Sequence, residues 1–138
     1  MTINQITRKT KALTYYIAHN IASGEAIAQA AGEWIDVKDW VPRNLFVDFG
    51  IGAATNIVLT IDVLIVDDST AYAVCLLSGV PWTVTLTGSA NYSIPLGQTV
   101  PDSLALLGKG HKVRVNYAVT GTRTTTTAVI GLSGSPIL

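Results

Sequence analysis

Residues 55–66 read TNIVLTIDVLIV, a long β-rich run that is apolar on both of its faces. Side chains alternate across a strand, so Ile57, Leu59, Ile61, Val63 and Ile65 form one unbroken aliphatic row. The other row, Val58, Thr60, Asp62, Leu64 and Val66, is apolar at both ends and polar only in its middle. A small sheet with one wet face shows cleaner alternation than this. The run is therefore expected to be the central strand of a sandwich whose second face is covered in part by a further layer or another subunit. Asp62, mid-strand, either faces water or pairs with a cation such as Arg114, a pairing that would set strand register.

Working outward, further alternating segments flank this run. Trp82, Val84 and Leu86 point inward while Thr83, Thr85 and Thr87 point outward. Val113, Val115, Tyr117 and Val119 form a core row, with Lys112, Arg114 and Asn116 opposite. Leu13, Tyr15, Ile17, His19 and Ile21 are expected to share one face of a first strand. Residues 44–49 and 124–132 make two more, and shorter strands fall at WIDV, 70–77 and NYSIPL. SGEAIAQAAGEW is a loop or a short strand, bracketed by Gly24 and Gly32. KDWVPRN reads as a turn punctuated by Pro42, and Asp67-Asp68-Ser69 as a hairpin connection. Residues 97–110 are irregular, with one helical turn through SLALL. Short strands at this spacing predict an all-β fold: an antiparallel β-sandwich, jelly-roll-like, over residues 12–132. A basic N-terminal arm, 1–11, precedes it and a C-terminal tail, 133–138, follows.

Composition narrows the functional classes. In 138 residues, nine basic and nine acidic side chains cancel, which gives no electrostatic reason to expect nucleic acid as a partner. Charged residues make up 13% of the chain, against about 25% in ordinary soluble domains. Together with a mean hydropathy of +0.41, this points to a surface covered by other protein in the working state. The single Cys75 excludes a disulfide framework, and no apolar stretch approaches the roughly 18 residues that span a bilayer. The start, TRKTK then ALTYYIA, lacks a small-residue cleavage site, so a protein made in the cytoplasm is expected.

Chemistry is sparse. Two histidines without HxH or HExxH spacing provide no zinc site, and Asp67 and Asp68 lack the remainder of a calcium loop. His19 reads as a structural histidine hydrogen-bonded at a strand end and His111 as an exposed one. No phosphate-binding glycine loop is present. No catalytic, cofactor or metal residue is assigned, and no enzyme is expected. Candidate protein contacts are instead Arg8, Lys9 and Lys11 of the arm; Trp40 beside Pro42; and Arg123, Thr124 and Thr126 of a threonine-rich last strand whose flat, weakly charged surface invites pairing. Trp34, Trp40 and Trp82 raise the alternative of a sugar-stacking platform, with Trp40 the exposed member and Trp82 in the core.

The order IDVKDWVPRNLFVDFG, TNIVLTIDVLIVDDSTAYAV, WTVTLTG and HKVRVNYAVTGTRTTTTAVIGL resembles small β-sandwich virion proteins of tailed bacteriophages, such as head decoration proteins and related capsid or tail accessory proteins. The likeness spans residues 33–132 and lies in strand pattern and turn placement. It implies a non-enzymatic capsid decoration (cement) subunit, often a homotrimer, on the virion surface. Its partners would be copies of itself and the major capsid protein or other virion proteins, with no nucleic acid and no membrane. The alternative function is a carbohydrate- or receptor-binding module of a phage tail.

Overall fold

The computed structural model describes residues 15–24, 28–37, 40–64, 70–76, 78–96 and 112–136, with backbone alone at 40, 41 and 136. Ten strands follow in chain order: β1 (Tyr15–Ile21), β2 (Gln29–Ala31), β3 (Ile35–Asp36), β4 (Trp40–Gly50), β5 (Ala54–Leu64), β6 (Ala71–Ala73), β7 (Thr83–Leu86), β8 (Ala90–Pro95), β9 (Lys112–Gly121) and β10 (Thr127–Pro136). All pairings are antiparallel. One sheet has the order β1-β10-β4-β8; the other has β2-β9-β5-β6, with β3 also on β9 and β7 also on β5.

The pairings nest. β5 pairs with β6 and β7, β4 with β8, β2 and β3 with β9, and β1 with β10. Each successive ring of this long hairpin lies in the other sheet. The roll is closed by β10 against β4 and by β9 against β5. That is the jelly-roll arrangement of a double-sheet sandwich, in agreement with the fold expected from the sequence.

Between the sheets lies a continuous aliphatic core. Leu45 and Val47 from β4, and Ile130 and Leu132 from β10, meet Ile57, Leu59 and Ile61 from β5 and Val113 and Val115 from β9, all fully buried. Trp82 is buried as well, as its alternation with Val84 and Leu86 requires. The second face of β5 is half-buried from Val58 to Leu64, neither wet nor closed. The sequence reading of a two-sided strand is thus met: Ile57, Leu59 and Ile61 are fully covered on one side, Val63 and the second face partly.

Three features differ from the sequence reading. First, β1 has an extra residue at Ala18: Ile17 opposes Gly131, but His19 opposes Ile130. A bulge of one residue reverses which side chains face the core. His19 and Ile21 therefore point inward, whereas Tyr15 and Ile17, expected on that same face, lie on the outer face and are 61% and 47% exposed.

Second, the segment around Pro42 is strand. β4 begins at Trp40 and pairs with β10 as far as Pro136, so residues 133–136 continue a strand where a tail was expected. The missing amide of Pro42 is accommodated because a second bulge, at Arg43, interrupts the ladder beside it and turns Pro42 to the buried side. Third, the threonine-rich reversal is a clamp. Thr126 is fully buried and donates from Oγ1 to the Ile51 carbonyl (2.9 Å), and the Ala53 amide donates to Thr125 Oγ1 (3.0 Å). These contacts hold the Ile51–Ala53 turn between β4 and β5, where Gly52 sits at φ +56° against Thr125. Because Ile51 also accepts from Ala54, Thr126→Val should cost about 1 kcal/mol in a urea unfolding titration, the worth of one hydrogen bond.

Candidate functional site

The outer face of the first sheet is built from cross-strand rows. Tyr15, Ser133, Asn44 and Pro95 form one row; Ile17, Gly131, Phe46 and Ser93 the next; Asn20, Val129, Asp48 and Asn91 a third. Asp48 is the one charged residue in these rows. The rim of the Phe46 ring lies over Gly131, which is possible because glycine carries no Cβ: a methyl group there would overlap Phe46 Cζ and the Tyr16 carbonyl. Tyr15, Ile17 and Phe46 thereby make an apolar patch beside β1, which has no strand on its free side among the described residues. No charged residue occurs between Lys11 and Glu25 to guard that edge.

The outer face of the second sheet is polar. Asp62 on β5 and Arg114 on β9 are register partners, and Arg114 Nε donates to Asp62 Oδ2 at 2.9 Å, the pairing the sequence suggested. Asn116 Nδ2 donates to the same oxygen at 3.0 Å and to Thr60 Oγ1 at 3.3 Å. The Arg114 guanidinium stacks over Trp34 at 4.5 Å from the ring centroid. Trp34 is therefore the stacked tryptophan, with a cation already on one face. Beside this network lies a shallow depression of about 380 Å³ whose lining includes Gln29, Ala31, Thr60, Asp62, Arg114 and Asn116.

His19 belongs to the fold. Its Nε2 donates to the Val115 carbonyl (2.7 Å), and its ring meets Tyr117 edge-on at 4.8 Å, linking β1 to β9 across the sandwich. Gly32 is required beside it, since a Cβ there would press on that carbonyl and on His19 Nε2. Among the described residues, no group of three or more His, Cys, Asp or Glu side chains could hold a metal ion.

The sequence-derived contact residues do not converge. Arg8, Lys9 and Lys11 lie outside the described residues, as do Asp67, Asp68, His111 and the 97–110 stretch; Trp40 is described by its backbone alone. Thr124 is exposed and its carbonyl accepts from Ser23 Oγ; Arg123 is half-buried and already has a partner. Thr126 is corrected outright: buried and bonded to Ile51, it cannot meet another protein. Tyr15, Ile17 and Phe46 take the place of that threonine face. They escaped sequence reasoning because their outward direction depends on the Ala18 bulge and on the Phe46–Gly131 fit, neither of which has a local signature.

Fold and surfaces together define the class: a jelly-roll domain whose β1 edge is apolar and unpaired among the described residues, with a polar face on its other sheet. No protein-family model matches the chain, and no curated protein matches it.

Proposed function

We propose that this chain is a non-enzymatic structural subunit of a virus particle, a capsid decoration protein of a tailed bacteriophage. It oligomerises through its jelly roll, as a homotrimer, and reinforces the lattice on which it sits. The observation that carries the reading is the patch of Tyr15, Ile17 and Phe46 beside the β1 edge, which is unpaired among the described residues. Exposed apolar patches with unpaired strand edges mark association surfaces. The sparse charge of the whole chain and the strand-pattern resemblance to phage decoration proteins support the same reading. Jelly rolls serve many functions, so the fold alone does not argue for it. Many weak contacts repeated over a lattice give strong attachment without a deep pocket.

The test is co-sedimentation of the purified chain with capsids assembled from tailed-phage major capsid protein. Saturable binding that raises the capsids' resistance to heat supports the proposal; absence of binding at micromolar concentration overturns it. Replacing both Tyr15 and Ile17 with Ser removes the two most exposed members of the patch without touching the core. This variant should keep its thermal midpoint within a few degrees and lose capsid binding by at least roughly tenfold, about 1.4 kcal/mol.

A further inference from the structure

We infer that the depression on the outer face of the second sheet is a binding site for a neutral, hydroxyl-rich ligand the size of one hexose ring. Its volume of about 380 Å³ lies at the low end of small-molecule sites. Small apolar residues lie along it, Val58 beside Ala118 on β5 and β9 and Ala31 on β2, and fit the C–H face of a pyranose. Thr60, Asp62, Asn116 and Arg114 lie in the adjoining cross-strand rows and offer donors and acceptors together, as vicinal hydroxyls require.

Charge selects the ligand class. The Arg114 guanidinium is balanced by Asp62 at 2.9 Å, so the site has no surplus positive charge for a phosphate or carboxylate. Asn116 adds a specific demand. Its Nδ2 is held by Asp62 and Thr60, which fixes the amide's orientation, and its Oδ1 is buried without a hydrogen-bond partner in the protein. An unpaired buried acceptor costs on the order of 1–3 kcal/mol. Less than 1 Å² of that oxygen is exposed, so a ligand hydroxyl completes it only where the Asn116 side chain yields toward the depression. The shared Asp62 contacts with Arg114 and Asn116 hold the polar side in place before any ligand arrives. The inference is independent of the proposal for the first sheet, which uses the opposite face of the sandwich.

The experiment is a titration of the isotopically labelled protein with methyl β-galactoside, methyl α-glucoside and methyl α-mannoside at tens of millimolar, followed by amide chemical shifts. At least one glycoside should produce saturable shifts centred on Ala31, Thr60 and Asn116, and inorganic phosphate should not. Ala31→Trp fills the depression from an exposed edge-strand position and leaves the polar network intact, so the fold survives. It should weaken binding at least roughly tenfold. Asn116→Ala should do the same if the protein remains folded. The inference is overturned if no glycoside gives saturable shifts there, if phosphate gives the same shifts, or if Ala31→Trp binds as tightly as the unaltered chain.

Discussion

Leu59→Ala is expected to lower the stability of the domain by about 4 kcal/mol, and the neighbouring Val58→Ala by about 1 kcal/mol or less. Leu59 is fully buried at the middle of β5, opposite Tyr117 on β9 and Val84 on β7, so its removal leaves a cavity that strands on both sides prevent from collapsing. The lost transfer energy and the cavity term then add. Val58 lies one residue away on the half-buried outer face, opposite Ala118 and Thr85, where solvent or a side-chain shift fills the gap. Urea unfolding of the two variants reads the difference directly, with unchanged m-values if both remain two-state. Equal losses would mean that β5 is enclosed on both faces and that the outer surface of the second sheet is not a surface.

Gly131→Ala should cost about 3 kcal/mol and lower the thermal midpoint by roughly 10 °C. An added Cβ meets Phe46 Cζ on one side and the Tyr16 carbonyl on the other, and the second of these is backbone. Phe46 can rotate away; β1 cannot, without losing its ladder with β10. The damage should therefore concentrate in β1. Amides of β1 that bond to β10 should exchange with solvent much faster in the variant, while those of β9 and β5 keep their protection. Uniform acceleration across both sheets would place Gly131 in the global core and not at the seam that carries the association patch.

Much of the second sheet was legible from the chain itself. Period-two alternation in residues 55–66 and 111–119 identified β5 and β9 and their core rows, and the opposite signs of Asp62 and Arg114 named their partnership before any register was known. These strands pair with few interruptions, so local pattern and tertiary position agree. The first sheet was harder to read. Its two bulges, at Ala18 and Arg43, each shift the pattern by one residue, and what places them is pairing with a strand more than eighty residues away in sequence. Pro42 looked like a strand breaker and lies in a strand, because the neighbouring bulge relieves the ladder where its amide is missing. Thr126 looked like part of an exposed row because alternation cannot distinguish a strand from the turn before it. Its hydroxyl donates to the Ile51 carbonyl, seventy-five residues back along the chain.

The most direct test of the account is the molar mass of the purified chain by light scattering at micromolar concentration. Association through the β1 face predicts a discrete multiple of 14.6 kDa, threefold for the trimer, and a single 14.6 kDa species once Tyr15 and Ile17 are both serine. An unaltered chain that stays at 14.6 kDa across the concentration range, or an oligomer whose mass the serine pair does not change, would contradict it.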